Sequence, residues 1–247
     1  QHVSSLRMIL AVLSLLMASM SSSEAIAVLL NTGNATDVKT FGEARAIVER
    51  EAGEGKLLQQ FVVGVTTYDK DLAERYLNAS RDRIRSMAEQ TGNPLAWYLL
   101  SVEKNDRECL RKAADGGNVQ ALNAWGMIQL QEATGLPESA SNKVEQCQAR
   151  AHASFRDAAL KRDANGYVNL GTCYMRGLGC GRDLPMGFTC FKAAAEAGHP
   201  EGMDAVADCY RFGRGVERDD EKSNYWRMRA SAARGNDIAA KWLEMKK

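Results

Sequence analysis

Proline is nearly missing, with four in 247 residues. No Val/Ile/Thr-rich stretch alternates apolar and polar side chains, the period-2 pattern of a half-buried strand. These absences exclude sheet folds and leave helices. An excess of one charge is missing too: 32 Lys and Arg face 31 Asp and Glu. A chain so balanced has no long-range field to draw it onto nucleic acid or an anionic membrane. Histidine is scarce, and none of His2, His152 and His199 has a serine or cysteine at a spacing that marks nucleophilic catalysis. There is no Cys-x-x-Cys and no His-Glu-x-x-His, and Cys173, Cys180 and Cys190 are spaced like no common zinc site. Cys147 and His152, five apart, would not share a helix face. Neither a metal nor a cofactor is expected. What remains is 45% hydrophobic and 26% charged residues, the composition of a soluble globular protein with a core.

Long apolar runs are limited to one. MILAVLSLLMASM, residues 8–20, follows Arg7 and carries no charge, but its 13 residues fall short of a bilayer span. It fits the apolar region of a signal peptide, and Ser23-Glu24-Ala25 offers small residues where a signal peptidase reads. The alternative is a helix of the mature fold. The first reading sets the mature N-terminus near Ile26 and makes the protein secreted, periplasmic or membrane-associated through residues 8–20. The second leaves it intracellular. Six cysteines, an even number, fit an oxidising compartment without requiring one. Asn34-Ala35-Thr36 and Asn78-Ala79-Ser80 read as glycosylation sequons.

Self-similarity organises the rest. LGTCYMRGLGCGRD, residues 170–183, lies over VADCYRFGRGVERD, residues 206–219. Cys173-Tyr174 falls on Cys209-Tyr210, Gly177 on Gly213, Gly179 on Gly215 and Asp183 on Asp219, every offset being 36. Downstream, KAAAEAG ends at Gly198 and RASAARG at Gly235, an offset of 37. Upstream, RKAADGGN closes a unit at Gly117, and FRDAALKRD, residues 155–163, holds the same slot as FKAAAEAGH. From Gly117 to Arg162 the separation is 45, so TGLPESASN, residues 134–142, supplies about nine extra residues as an exposed loop. FVVGVTTYDKDLAERYL, residues 61–77, repeats the order faintly, and SMAEQTGN ends that unit at Gly92. The unit 93–117 has 25 residues, so its hairpin loop must be very short. A period of this length marks stacked helix pairs.

Each unit has a physical logic. Gly171 lets the second helix approach, and Tyr174 fills the space between units. Gly177-x-Gly179 and Gly213-x-Gly215 end first helices. Asp183 and Asp219 then cap second helices. Pro94, Pro185 and Pro200 stand where a first helical turn tolerates them. Beyond Gly235, Asn236 caps a last helix, 237–247, in which Ile238, Ala239, Trp242 and Leu243 form an apolar stripe. Trp242 is expected to pack on the preceding unit near Tyr225 and Met228, closing the stack. The Gly-x-Gly pairs are not phosphate loops: they follow a helix, and lack a third glycine and the Lys-Ser/Thr signature.

The order Leu-Gly-x-x-Tyr-x-x-Gly-x-Gly, then x-x-Asp, then Lys-Ala-Ala-x-x-Gly resembles the Sel-1-like repeat, a relative of the tetratricopeptide repeat. The likeness is fullest over 163–235, thinner over 93–162 and faint over 53–92. Trp125 and Gln129 depart from the expected Leu and Tyr, and Arg162 replaces the terminal glycine. The resemblance implies an all-α, right-handed α/α superhelical solenoid of antiparallel helix hairpins. Its expected divisions are the segment 1–25, a non-repeat helical segment 26–56, a solenoid 57–235 and a capping helix 236–247. It further implies a non-enzymatic scaffold or adaptor that holds a protein or peptide on its concave face.

By register that face includes Trp97, Tyr167, Asn169, Arg176, Asp208 and Arg211. Any of them is equally open to a plainer reading, as a solvated charge or a packed ring. Some cysteine-rich secreted relatives staple each unit by a disulfide. Cys173 and Cys190 are about equidistant from the turn near 181, which makes them the candidate pair. Against this, Cys173 and Cys209 share one repeat position and Cys180 stands where Val216 does, as small buried apolar residues would. Two rival functions accompany the scaffold: an enzyme acting on cell-wall or small-molecule substrates, and a structural subunit of a larger assembly.

Overall fold

The structure, a computed structural model, describes residues 70–245. The apolar run 8–20, the segments 1–25 and 26–56, the first sequon and residues 61–69 of the faint repeat lie outside the described residues. Within them ten α-helices and one 3-10 turn follow one another, and no strand occurs among the described residues. The all-helical expectation holds. The chain divides into two compact units between Gly116 and Gly117.

The described part of the first unit is α1 (Lys70–Thr91), α2 (Pro94–Lys104) and α3 (Arg107–Asp115). Ile84, Ala88, Ala96 and Leu100 form its core. The α2–α3 loop is as short as the 25-residue unit demands: Asn105 turns the chain with φ 53°, and Asp106 accepts from the Glu108 and Cys109 N–H groups to cap α3. Asparagine bears this left-handed conformation at less cost than most side chains. The Glu103 side chain is largely covered and takes a 2.6 Å hydrogen bond from Arg81 Nε, which pairs its charge.

The second unit runs α4 (Val119–Thr134), α5 (Ser141–Leu160), α6 (Ala164–Arg176), α7 (Leu184–Glu196), α8 (Pro200–Phe212), α9 (Asp220–Ala233) and α10 (Asp237–Met245). These are three hairpins and a closing helix. Each helix packs on its chain neighbour, and the first helices α4, α6 and α8 also touch in succession. The extra loop is less extended than its composition predicts, since Glu138–Ala140 form a 3-10 turn and Ser141 already begins α5. The caps fall where expected. Asp183 accepts from Met186 N and Asp219 from Lys222 N, each at 2.9 Å. Asn118, Asp163, His199 and Asn236 start α4, α6, α8 and α10 in the same way. Arg162 sits at φ 61°, the place where Gly117, Gly198 and Gly235 turn the other units.

Recurrent close approaches hold hairpins to one another. Inside a hairpin, a β-carbon on Gly171 would stand 2.7 Å from the Phe191 ring, and one on Gly126 would stand 2.5 Å from the Phe155 ring. Between hairpins, Gly166 rests on Ala158 and Ala159, and Gly202 on Ala194 and Ala195. Tyr174 meets His152 edge to face with centroids 5.4 Å apart, and Tyr210 meets Phe188 in the same geometry. Histidine thus occupies an aromatic packing slot at 152. The second glycine of each Gly-x-Gly does more than end a helix. Gly179 lies on the Gln148 carbonyl and Gly215 on the Leu184 carbonyl, so neither has room for a β-carbon. The contacts between hairpins recur at the 36-residue offset, while the glycine-on-ring contact inside a hairpin recurs only from Gly126 to Gly171, 45 residues on, and the first recurrence makes a stack out of separate hairpins.

The closing helix differs in one respect from its expected stripe. Ala239 is buried and Trp242 and Leu243 are half-buried, but Ile238 is 78% exposed. Asn236 accepts from Ile238 N and Ala239 N, a geometry that fixes the first turn and leaves the Ile238 side chain outward. A half-covered indole contributes less than a core one. Trp242→Ala is therefore expected to lower stability by about 1–2 kcal/mol, below the 3–5 kcal/mol of a fully buried Trp. A urea titration of the full chain checks it.

Candidate functional site

The six sequence-predicted contact residues are divided between the two units. Trp97 belongs to the first unit, where it is half-buried, packs on the core and carries the Lys112 ammonium 4.5 Å from its ring centroid. The other five lie in the second unit. Tyr167 is half-buried against the cluster of Ala151, Phe155, Leu170 and Cys173, so its main contact is core. Asn169 donates to Asn123 Oδ1 at 3.1 Å, and Asn123 donates to the capping Asp163 at 2.7 Å, which ties α4 to α6. Arg176, Asp208 and Arg211 are exposed on the first helices. Asp208 is bridged to Arg227 at 2.9 Å.

Two exposed apolar side chains on the first helices of the second unit escaped the sequence reading. Met127 on α4 is 53% exposed, and Phe212 at the end of α8 is 55% exposed. The offsets of 45 and 36 place Met127, Thr172 and Asp208 at one register, and Gln131, Arg176 and Phe212 at the next. Carrying those offsets along the first helices would have found both rows. The opposite side of the same helices holds Ala121, Leu122, Leu170, Cys173, Val206 and Cys209 in the core. A row of mixed apolar, polar and charged groups along α4, α6 and α8 is the open surface.

Reactive chemistry is weakly represented on these helices. No group of three or more His, Cys, Asp or Glu residues gathers to hold a metal among the described residues. Cys173 and Cys190 share a core cluster, as the hairpin geometry predicts, but no bond joins them: both are free thiols. Burial pushes the Cys173 thiol up to about 12 and Cys190 and Cys209 to about 11. A thiol so firmly protonated is a poor nucleophile and a poor ligand at neutral pH. Their place is that of small core residues. No described helix is long and apolar enough to cross a membrane.

One titratable group does structural work. His199 is buried, and its Nδ1 accepts the Gly202 N–H at 3.3 Å to start α8. Nε2 must then carry the hydrogen, which it donates to Asn165 Oδ1 at 3.1 Å on α6. Burial lowers the His199 pKa, with nearby Arg234 adding to the effect and Glu201 and Asp163 opposing it. The unfolded chain therefore takes up this proton first. The cap's contribution is complete above the ordinary histidine pKa and is lost as pH falls through the lowered one. Melting of wild type between pH 7.5 and 5 is expected to fall further than that of His199→Asn, because asparagine caps the helix without titrating.

Comparison with known proteins agrees with this geometry. The Sel1 repeat model matches residues 107–118, 164–199 and 200–237. No curated protein matches the sequence. A protective antigen present in uropathogenic Escherichia coli strains and displaying an SLR fold is similar in structure, with a TM-score of 0.54 and 20% identity. The match covers 89% of this chain and 49% of that one, so this chain spans about half the antigen's length. A Sel1 repeat protein from Oxalobacter formigenes matches 51% of this chain and 90% of its own, at 21% identity and a TM-score of 0.45. The matched segments cover α3, α6 to α9 and the caps that start α4, α8 and α10. Over those segments the chain is similar to Sel1 repeats.

Proposed function

We propose that this protein is a scaffold or adaptor that holds a partner protein or peptide along the first helices of its second unit. Proteins built of Sel1 repeats generally bind other proteins, and such solenoids are typically non-enzymatic. One observation carries the proposal. At equivalent registers α4, α6 and α8 expose Met127, Gln131, Arg176 and Phe212, a mixture of apolar and hydrogen-bonding groups suited to recognition. The caps and close approaches hold these helices at fixed spacing, so the surface is preorganised and a partner need not order it. Export, by contrast, rests only on the apolar run 8–20 and is proposed on that ground alone.

The test compares two faces of one molecule. A photo-activatable side chain is placed at Met127, Thr172 or Asp208 on the first helices, or at Lys192 or Glu196 on the second helix α7. In cells that make the protein, a partner adduct is expected from the first group and not from the second. Adducts from α7 with none from α4, α6 and α8 would place the partner elsewhere.

A further inference from the structure

Basic side chains in the last hairpin mostly have carboxylates to meet. Arg218 pairs with Asp220, Lys222 with Asp219, Arg227 with Asp208 and Arg234 with Asp204, at 2.6–2.9 Å. Arg176 and Arg211 at the ends of α6 and α8, and Arg214 in the turn after α8, do not. Arg176, Arg211 and Arg214 make no ion pair among the described residues, and all three are exposed. Arg211 and Arg214 instead stack on Phe212, their guanidinium carbons 5.3 and 5.0 Å from the ring centroid. The offset of 36 sets Arg176 on α6 at the position Phe212 takes on α8, one first helix away. Arg176 and Arg211 lie in the last turns of their helices, where the dipole favours a cation but consumes none of its side-chain donors.

Nearby acids are chiefly engaged elsewhere: the Asp220 carboxyl is held below its ordinary value mainly by Arg218, with Arg211 a lesser contributor. Asp208 and Asp220 are each bridged to another arginine, Asp183 and Asp219 cap helices, and Glu217 is exposed in the turn. Stacking on the ring limits the rotamers of Arg211 and Arg214, so less entropy is lost when a carboxylate arrives. A fork of planar donors around an exposed ring suits one chemistry, a carboxylate next to an apolar side chain.

We propose that Arg176, Arg211, Phe212 and Arg214 form the docking point for an acidic peptide segment that carries an apolar residue among its carboxylates. This deepens the scaffold reading and rests on it. The apolar residue lies on Phe212, the arginines take the flanking carboxylates, and the rest of the segment follows the first helices.

Fluorescence anisotropy on the full chain tests it, using a labelled peptide of glutamates flanking one phenylalanine and a twin with glutamine at each glutamate. The acidic probe is expected to bind at least about tenfold more tightly than its twin, and to weaken as salt is raised. Arg211→Gln with Arg214→Gln should lose about tenfold for the acidic probe, while Phe212→Ala should weaken both probes. Arg218→Gln, whose guanidinium is already held by Asp220, should bind as wild type does. All these side chains are exposed, so unchanged melting is expected and confirms folded variants. Equal binding of the two probes, no loss in the arginine pair, no binding of the acidic probe, or its displacement by anionic vesicles or by DNA would each overturn the assignment. If the acidic probe fails while first-helix crosslinks persist, this assignment falls and the scaffold reading stands; loss of the crosslinks would defeat the scaffold reading itself.

Discussion

Replacing Gly215 by alanine is expected to cost about 3 kcal/mol or more, while Gly213→Ala, two residues away, should cost about 1 kcal/mol. Both glycines have positive φ, +75° at Gly215 and +64° at Gly213, so alanine is strained at either place. The difference lies in what a β-carbon would meet. At Gly213 the nearest atom is 3.7 Å away, ordinary contact. At Gly215 it would overlap the Leu184 carbonyl of the preceding hairpin, and backbone cannot swing aside as a side chain can. The methyl must therefore push α8 and α9 away from α7 and open the seam between units. Gly181→Ala is the control, for nothing lies within 4 Å of it and its φ is not positive. Denaturant midpoints of the three variants rank the effects. Equal losses at Gly213 and Gly215 would mean that the seam is not where the unit is held.

The second large effect is at Phe155, the largest fully buried side chain among the described residues. Phe155→Ala should lower stability by about 3–5 kcal/mol, since it removes the ring and leaves a cavity among Ala151, Ala159 and Leu170. Its neighbour supplies a sharper form of the same test. A methyl on Gly126 would press into the Phe155 ring, so Gly126→Ala alone should cost about 1–3 kcal/mol. In a Phe155→Leu background the added methyl has more room, and the double variant should be more stable than the two single losses sum to, by about 1 kcal/mol. Additive losses would show that glycine and ring are not packed as a pair.

Much of this fold could be read in the sequence because the repeat writes each contact more than once. Cys173-Tyr174 over Cys209-Tyr210 fixed the register, and the structure places the tyrosines at like points, on His152 and on Phe188. Caps were legible for a local reason: an acid or amide side chain three residues before a free N–H makes its bond within one turn. His199 was not recognised as a cap, because histidine caps by a ring nitrogen and resembles no usual signature. The role of Gly179 and Gly215 in seating one hairpin on another was also hidden. Helix termination explained those glycines well enough from sequence, and only the neighbouring backbone shows the second demand.

The surface was harder to read than the core. Helical register predicts which face looks outward, yet it does not say which outward groups are already engaged. Tyr167 turned inward to the core, Asn169 was taken up by Asn123, and Asp208 by Arg227. Met127 and Phe212 went unnoticed because apolar residues on a helix are ordinarily assigned to its buried side. Their exposure comes from position along the repeat rather than from residue type.

The most direct measurement of the central claim is hydrogen exchange of the full chain, free and with a bound partner recovered through the crosslinks. Slowed exchange is predicted at α4, α6 and α8, extending to the turn at residues 212–215. The exposed sides of α5, α7 and α9 should be unchanged. Protection confined to the second helices, or absent from the second unit, would contradict the account.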